Sequence, residues 1–548
     1  MATLIHNARI YVERGVFAEA LLEVDGIIRA VGTLAEVEAA APACVTRRDA
    51  KGRTIVPGFN DSHQHLLNTG IALADIRLGD CRSIAEVQDV ARRWIAENNP
   101  APGTVIHGMR WNQDYFAEGR LLTAADLDEI STEHPIIFDR ACGHLLTCNT
   151  LAMQMAGITR DSVAPEGGTI ERDADGNPNG VFTENARQAV RSLMASRSVE
   201  ETVRLIRTGM AHAAQCGVTS VQTCDLRGRD WETTLEAYNQ VAADQPLTRV
   251  WHQSSFQEPE GYRRFLERGC VMGSGTPFNR FGPLKLFIDG SLGARTALMR
   301  APYADDPSTC GVEVLTPAQI DELVGLANSH NCGVVAHAIG DLAIERMLDA
   351  FDAHAPGDGT NPLRNGIVHV QITDRALVER FTKNDILALV ERFTKNDILA
   401  LVQPIFLHYD TQIVEDRVGA ELAGTSYAFG SMHRLGIHMS FGTDSPIEDM
   451  NPFENIYCAV TRRTLQGKPE GGFHPEECLD VETAVDAYTI ESAYATFEEN
   501  VKGRLMPGYY ADLVILSDDI FTVPHDAIKS IRAVATMVDG RWVHDTEA

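Results

Sequence analysis

The sequence predicts an α/β fold built around a closed (β/α)8 barrel. Between Cys216 and Ser445, short apolar runs alternate with stretches of helical character, which indicates parallel β-α units. Together with a run at 54–67 they number eight, the strand count of a closed barrel. An open doubly wound sheet fits less well, because no glycine-rich phosphate-binding turn follows the first run. The runs are TIVPGFNDSHQHLL, GVTSVQTCD, LTRVWHQSSF, PLKLFIDG, CGVVAHAIG, NGIVHVQIT, ILALVQPIF and HMSFGTDS.

The composition is that of a large globular protein without nucleic-acid or membrane partners. Of its 548 residues, 44% are hydrophobic and 23% are charged, and the formal net charge of −28 disfavours binding to phosphates. No apolar run approaches the roughly 20 residues that cross a bilayer. The start, MATLIHNARIYVERG, lacks the features of a secretory signal, so we expect a cytoplasmic protein. The 11 scattered cysteines contain no CxxC pair and indicate buried thiols.

Both chain ends carry short strands separated by turns. Near the N-terminus, Asp25-Gly26 lies between two apolar runs and is a strong signal for a two-residue hairpin. Near the C-terminus, Asp539-Gly540 separates AVATMV from RWVH. The simplest arrangement is one composite β-sandwich from residues 1–57 and 500–548, with the barrel at 58–499 between them. Two unrelated caps are the alternative.

About 150 residues separate the first two barrel runs. One β-α-β unit needs only roughly 30 residues. We therefore predict an insertion at about 69–198 that lies over the barrel mouth, where loops after strand ends carry specificity. Within it, GGTIERDADGNPNGVFTENA predicts a hairpin that turns at Asp175-Gly176.

A tandem duplication precedes the seventh barrel run. ALVERFTKNDIL occupies Ala376–Leu387 and recurs unchanged at Ala388–Leu399. The unit is too short and repeated too few times for a solenoid, so a recent duplication or a sequence-assembly error is the simplest explanation. Twelve added residues would lengthen a helix by about 18 Å. We expect one copy to extend or loop out beside the seventh strand.

The first barrel run places two histidines on one side of the chain. In extended backbone His63 and His65 face the same space, because alternate side chains point the same way. Neutral imidazoles are good ligands for a borderline-soft divalent metal such as zinc. The pair alone is weak support, since 18 histidines give about 0.6 such spacings by chance.

Four further candidates lie in or just after other barrel runs. Lys285 lies within an apolar run, where a charge is costly unless it is paired or chemically changed. It either forms a buried ion pair, with Asp289 as its partner, or is a neutral amine that has captured CO2 to give a metal-bridging carbamate. Taken singly, His337 and His369 are more often core or loop residues, and Asp444 could be a cap or a turn residue. Because each of them falls in or at the end of a different strand, the set predicts a metal centre at the barrel mouth.

Longer motifs around these residues resemble the metal-dependent amidohydrolase superfamily. FNDSHQH, KLFIDGSLGART, VVAHAIGD, IVHVQIT and FGTDSP resemble its YtcJ-like branch, which includes N-substituted formamide deformylases. GRLMPGYYADLVIL resembles the strand with which the superfamily returns to its β-domain. The resemblance implies a (β/α)8 barrel, a two-ended β-sandwich and a centre of one or two divalent metals, usually zinc. The tandem duplication departs from the family pattern and puts the loop of the seventh strand in doubt.

The resemblance also implies a ligand set and a reaction. From its position after the last strand, we expect Asp444 to be the catalytic residue, which takes a proton from metal-activated water and passes it to the leaving nitrogen as a C–N bond of an amide or an N-acyl or N-formyl amine is hydrolysed. Hydrolysis of an ester, lactone or cyclic amide is the alternative reaction, and a metal-free scaffold is the alternative class. Many barrels of this kind are dimers, so a homodimer is implied. The implied ligands are His63, His65 and Asp444 on one metal, His337 and His369 on the other, and N6-carboxylated Lys285 as the bridge.

Five residues are candidates for contact with the small-molecule substrate. Trp111 would either line one side of the substrate pocket or anchor the core. His144 would either donate a hydrogen bond to a carbonyl of the substrate or have a structural role. Glu184 would meet a polar group or be a solvated loop carboxylate. Arg295 would bind an anionic group or brace its loop. The fifth candidate is Asp289, which lies on the same face of its run as Lys285.

Overall fold

The computed structural model describes residues 2–140, 145–165, 168–194, 197–228, 230–356, 360–382 and 397–547. The chain divides into two compact units, one formed by residues 1–68 and 209–548 and the other by Thr69–Thr208. The first unit contains a barrel and a β-domain. The predicted insertion at 69–198 lies within the second.

Parallel strands of the first unit form the barrel, and eight are seen in the described part of the chain. They coincide with the eight predicted apolar runs, and their order in the sheet follows their order in the chain. Each connection therefore returns the chain to the same end of the sheet. Barrel strands 1 to 8 are Phe59–Gln64, Val218–Thr223, Arg249–Ser255, Asn279–Phe287, Val334–Ala338, Gly366–His369, Leu399–Val402 and Met439–Phe441.

Backbone hydrogen bonds connect the first and last barrel strands at their carboxyl ends. The N–H of Asp444 donates to the carbonyl of His63, and the N–H of His65 donates to the carbonyl of Ser445, both at 2.8 Å. Gly442 permits this approach, since an added Cβ would lie 2.6 Å from the backbone nitrogen of His63. The predicted closed barrel is confirmed, and the open sheet is excluded.

Helices occupy the connections between barrel strands. Pro317–Ser329 illustrates why they form: Thr316 and Gln319 make a reciprocal capping box at its start, and its apolar residues recur at helical spacing and are buried. Leu66–Ala74 and Val199–Cys216 cross the unit boundaries. The other helices of this unit are Leu34–Ala40, Trp231–Ala243, Pro259–Glu267, Pro317–Ser329, Asp341–His354, Arg375–Arg380, Leu407–Asp410, Val414–Ala423, Phe429–Arg434, Pro452–Thr461, Val481–Ala487, Ile490–Tyr494 and His525–Ile528, with 3-10 turns at Pro404–Phe406 and Pro475–Glu477.

Two sheets form the β-domain. One contains, in spatial order, Ile27–Gly32, Ala20–Val24, Ala2–His6 and Thr46–Asp49. The other contains Arg541–Asp545, Ala533–Val538, Leu513–Leu516, Thr54–Pro57, Arg9–Glu13 and Val16–Ala18.

Strands from the two chain ends pair directly in this domain. Thr54–Pro57 runs antiparallel to Leu513–Leu516, and apolar side chains of both ends share one core. The two-ended β-domain is therefore confirmed, and two unrelated caps are excluded. Asp25-Gly26 and Asp539-Gly540 join antiparallel strands with positive φ at both turn residues, as a two-residue hairpin with the favoured twist requires.

The second unit is a mixed sheet with short helices. Its strands, in spatial order, are Gly168–Arg172, Pro178–Glu184, Leu145–Cys148, Ile136–Arg140, Ile106–Trp111 and Ile76–Arg77. The first two form the predicted hairpin, with Gly176 at φ 84° in its turn. The position of the insertion over the barrel mouth stays a prediction. The helices are Ile84–Asn98, Ala124–Asp128, Thr150–Met155 and Arg187–Arg191, with a 3-10 turn at Gln113–Tyr115.

The tandem duplication falls largely at 383–396, outside the described residues. Helix Arg375–Arg380 precedes this stretch, and barrel strand 7 follows it. The effect of the second copy stays a prediction, as do the cytoplasmic location, the exclusion of nucleic-acid and membrane partners, and the homodimer.

Across the described ranges, no helix combines the length and apolarity needed to cross a bilayer.

Candidate metal centre

Five barrel strands carry the predicted metal ligands toward one end of the barrel. The carboxyl ends of parallel barrel strands meet at the barrel mouth, where enzymes of this fold place their reactive groups. The six side chains are His63 in strand 1, His65 directly after it, Lys285 in strand 4, His337 in strand 5, His369 at the end of strand 6 and Asp444 shortly after strand 8.

His63, His65 and Asp444 form one compact group. The Nε2 atoms of His63 and His65 lie 3.5 and 3.3 Å from the same oxygen, Oδ1 of Asp444. One ligand atom from each residue lies within 4.8 Å of the other two, so a single ion can contact all three. The three side chains are 1%, 11% and 13% exposed, which shields such an ion from bulk water.

His337 and His369 lie beside this group. Their ring centroids are 4.5 Å apart, and the ring of His369 is 5.7 Å from that of His63. Metals in a two-metal site lie about 3.5–4 Å apart, so imidazoles at these separations can serve neighbouring ions.

Two of these residues adopt strained backbone. His369 has φ 80° and Asp444 has φ 55°. A left-handed conformation costs a non-glycine residue about 1–3 kcal/mol, and such residues cluster at functional sites. The strain therefore agrees with a functional role for this end of the barrel.

An oxygen acceptor binds one ring nitrogen of His63 and one of His65. The Nδ1 of His63 is 2.6 Å from the Oε1 of Gln253, and the Nδ1 of His65 is 3.2 Å from the carbonyl of Cys224. The amide of Gln253 is oriented by its own N–H group, which donates to the carbonyl of Ser62 at 2.9 Å. A proton on each Nδ1 leaves the lone pair on Nε2, the atom that faces Asp444.

The other two histidines are held in the same way. The Nδ1 of His369 is 2.7 Å from the Oε1 of Gln403, whose amide N–H donates to the carbonyl of Leu401 at 3.2 Å. His337 has the opposite ring orientation: its Nε2 is 2.8 Å from the carbonyl of Gly290, which leaves the lone pair on Nδ1. Outer acceptors of this kind fix the tautomer of a metal-binding imidazole and raise its basicity.

The protonation states of the buried histidines and of Asp444 are also those that bind a metal. Burial lowers the pKa of His63 and His337 well below the ordinary range and that of His369 to about 4, so these rings are neutral near pH 7. Burial alone would raise the pKa of Asp444, but the close approach of His65 and of the other imidazoles lowers it below its ordinary value. Neutral imidazoles and an ionised carboxylate are the forms that bind metals.

Lys285 is fully buried in the interior of the barrel unit. Its Nζ lies 3.4 Å from the carbonyl of Leu286 and 4.1 Å from the centre of the Phe287 ring. Among the residues that the structure describes, no carboxylate lies at ion-pair distance from Nζ, so the alternative of an ion pair with Asp289 is not realised. Burial lowers the pKa of Lys285 to about 8, which favours the neutral amine.

Asp289 binds backbone groups. Its buried carboxylate accepts hydrogen bonds from the N–H groups of Leu298, Ile339 and Gly340 at 2.8–3.3 Å, and one oxygen lies 3.4 Å from the Nε2 of His337. These contacts tie the loop after strand 4 to the end of strand 5. They favour a positioning role over the predicted contact with substrate.

Arg295 lies in the same loop and forms a bidentate ion pair. Its Nε and Nη2 are 3.0 and 2.9 Å from the two oxygens of Asp305, which also pairs with Arg417. A guanidinium committed to a carboxylate is a poor site for a second anion. The contacts support the alternative in which Arg295 braces its loop.

The remaining candidates belong to the second unit. Trp111 is fully buried in its core and donates its indole N–H to the carbonyl of Phe138 at 3.1 Å, which supports the core-anchor alternative. Glu184 is exposed at the end of strand Pro178–Glu184, and its role stays a prediction. His144 lies outside the described residues.

Sequence reasoning missed three residues that organise the site. Gln253 and Gln403 hold imidazoles, and Asp61 accepts hydrogen bonds from the N–H groups of His63 and Thr443 at 3.2 Å, joining strands 1 and 8. Burial raises the pKa of Asp61 to about 7. One signal was present, since a glutamine or aspartate in or directly after a buried strand needs a hydrogen-bond partner.

Replacing Gln403 by leucine should weaken metal binding by about 10–100-fold, the usual cost of losing an outer hydrogen bond to a metal ligand. The His369 ring would lose the acceptor that fixes its tautomer. Competition with a chelator dye measures the affinity. Asn279→Leu is the control, because Asn279 is also buried and its Oδ1 lies 2.6 Å from the Nε2 of His252, an imidazole that is not among the predicted ligands. Equal metal affinity in both variants would show that Gln403 does not position His369.

The comparisons with known proteins agree with this geometry. The model of the amidohydrolase family matches residues 47–544. The chain is 30% identical to the putative amidohydrolase YtcJ of Bacillus subtilis (strain 168) over 549 residues, covering 100% of both proteins. It is 25% identical to the N-substituted formamide deformylase of Arthrobacter pascens, covering 97% of this chain and 96% of that protein.

Among solved structures, an uncharacterized metal-dependent hydrolase from Pyrococcus horikoshii OT3 superimposes with a TM-score of 0.78. It is 26% identical in sequence, and the match covers 96% of this chain and 99% of that one. The resemblance inferred from the motifs is confirmed over nearly the whole chain. The protein therefore belongs to the amidohydrolase family.

Proposed function

We propose that the protein is a metal-dependent hydrolase that cleaves the C–N bond of an amide or of an N-acyl or N-formyl amine. The observation that carries the proposal is the donor set at the barrel mouth: four imidazoles, each with one ring nitrogen at an oxygen acceptor, next to an ionised carboxylate. The similarity to an N-substituted formamide deformylase supports a C–N bond as the target.

The side chains fit one or two divalent ions, and zinc is the ion that this donor set favours. His63, His65 and Asp444 would hold one ion. His337 and His369 would hold the second, and Lys285 would supply an anionic bridge once carboxylated. Each histidine offers the ring nitrogen that is not engaged by its outer acceptor, so the set fits without a change of tautomer.

When bound, a divalent metal polarises a carbonyl group and lowers the pKa of water so that a strong nucleophile exists near neutral pH. Asp444 is placed to accept a proton from the attacking water and to donate it to the leaving nitrogen, which must be protonated to depart as an amine. One oxygen of its carboxylate lies 3.5 and 3.3 Å from the Nε2 atoms of His63 and His65, where a shared ion would bring the three residues together. Burial of the site excludes bulk water and strengthens these electrostatic interactions.

The same donor set would hydrolyse an ester, lactone or cyclic amide, because the attack on the carbonyl is common to all of them. A metal-free scaffold explains the site less well. Buried imidazoles and a buried lysine that has no carboxylate partner in the described part of the chain destabilise a fold that does not use them.

Metal removal and substrate screening test the proposal. Protein stripped by a chelator should lose hydrolysis of N-formyl and N-acetyl amines, and added zinc, manganese or cobalt should restore it. Matched esters and lactones of the same acyl group should turn over more slowly than the amides. Full turnover by protein verified as metal-free would contradict the metal requirement, and faster ester hydrolysis would favour the alternative reaction.

A further inference from the structure

A second group of side chains that could hold a metal ion shares no residue with the centre described above. His212 and Cys216 are one helical turn apart on Val199–Cys216, and Asp449 comes from the segment after barrel strand 8. Their ligand atoms all lie within 4.8 Å of one another. The Nε2 of His212 is 2.7 Å from Oδ1 of Asp449 and 3.8 Å from Sγ of Cys216.

The distances are close to those of a tetrahedral zinc site. With Zn–N near 2.0–2.1 Å and Zn–S near 2.3 Å, neighbouring ligand atoms lie roughly 3.4–3.6 Å apart. The separation of His212 and Cys216 already matches this value to within a few tenths of an ångström. Only the Asp449 oxygen must move away, and that side chain is 60% exposed, whereas the other two are fixed on a helix.

The arrangement does not suit nucleophilic catalysis. In a Cys-His-Asp triad, the thiol and the carboxylate contact opposite ring nitrogens. Here Cys216 and Asp449 both contact the Nε2 of His212. A shared nitrogen is the arrangement expected when all three atoms point at a common ion.

A plain ion pair is the competing explanation. The hydrogen bonds with Asp449 and Cys216 raise the pKa of His212 to about 10, so the ring is protonated near pH 7 when no metal is bound. An ion pair accounts for the contact of His212 with Asp449 but gives no reason for a thiol at the same nitrogen. The two explanations differ in whether a thiolate binds metal.

We propose that His212, Cys216 and Asp449 form a separate site for a thiophilic divalent cation of the zinc class. The bound ion links the segment after barrel strand 8 to helix Val199–Cys216. Asp449 lies close in sequence to Asp444, and the N–H of Ile447 between them donates to the carbonyl of Asp444 at 2.9 Å. This metal-mediated link therefore restrains the segment that carries the predicted catalytic carboxylate.

Cobalt titration of the full-length, chelator-treated protein tests this site. Cobalt bound to a thiolate absorbs in the near ultraviolet through charge transfer, and nitrogen and oxygen ligands give no such band. We expect the band in the wild-type protein and its loss in Cys216→Ser. Cys478→Ser is the matched control, because Cys478 is also half-buried and lies outside the cluster. Asp449→Asn, a conservative change at an exposed position, should weaken the cobalt affinity of the thiolate site at least tenfold.

The outcome does not depend on the hydrolase reaction, because the readout is a spectrum and not turnover. A thiolate band of equal intensity in wild type and Cys216→Ser would overturn the proposal, since another cysteine would then be the ligand. Absence of the band in the wild-type protein with cobalt in excess would show that the three residues form an ion pair only. Unchanged affinity in Asp449→Asn would remove the carboxylate from the site.

Discussion

Asp444→Asn should lower hydrolysis by about 10²- to 10⁴-fold, the range that a positioned general acid or base contributes. Asparagine keeps the shape of the side chain and an oxygen that can face His63 and His65, but it cannot accept a proton from water or pass one to nitrogen. The pKa of Asp444 lies below its ordinary value, so the wild-type group is ionised across the working pH range. The variant replaces that charge with a neutral amide.

Steady-state kinetics and metal analysis of the same preparation measure this effect. The loss should appear in kcat at saturating metal, because the change also removes a carboxylate ligand of the first ion and should weaken its binding. Asp486→Asn is the control: Asp486 is a partly buried carboxylate that accepts a hydrogen bond from Tyr11 and has no contact with the metal centre. An Asp444→Asn protein that retains metal and full turnover would exclude Asp444 as the proton carrier.

The fold could be predicted largely from the sequence because its signals are local. Strands buried on both faces of a parallel sheet appear as continuous apolar runs, and all eight runs correspond to barrel strands. Asp-Gly pairs between apolar runs identify hairpins, since few other pairs tolerate positive φ at both positions. The return of the C-terminal strands to the N-terminal sheet was implied by the family resemblance and by similar strand patterns at both ends.

The candidate ligands could be predicted because barrel strands deliver their carboxyl ends to one place. The residues that hydrogen-bond to these ligands could not be predicted. The contacts of His63 with Gln253 and of His369 with Gln403 join residues far apart in the chain, and they depend on side-chain rotation that no spacing encodes. The same limit explains Arg295, whose ion pair with Asp305 is invisible in the sequence.

Two buried lysines of this protein, Lys285 and Lys502, have different surroundings. Lys502 is nearly as buried as Lys285, but its Nζ lies 2.6 Å from a carboxylate of Glu498 and 2.9 Å from the hydroxyl of Ser220. Lys285 has no such partner among the described residues and contacts an aromatic ring and a carbonyl. The first is a structural ion pair, and the second is the pattern expected of an amine that reacts.

Lys285→Met should abolish metal-dependent turnover while leaving the protein folded. With a pKa of about 8, about a tenth of the Lys285 side chain is the neutral amine at pH 7, and only this form captures CO2. Methionine matches its length but cannot form the anionic bridge, so metal affinity should fall by more than the roughly 10–100-fold that an outer partner costs. The unfolding temperature should stay the same or rise, because a buried polar group is removed without leaving a partner.

Lys502→Met is the matched comparison and should give the opposite result. Its loss removes a buried cation from the Glu498 carboxylate, which keeps its ion pair with Arg280, so the unfolding temperature should fall while metal content per folded molecule is retained. In addition, short carboxylic acids should partly restore activity to Lys285→Ala, because they can occupy the vacated space as a replacement anion. The ¹³C signal of a carbamate formed from labelled CO2 should be present in wild type and absent from Lys285→Met. Full activity and metal content in Lys285→Met would show that the bridge is not required and that a neutral lysine serves another purpose at this centre.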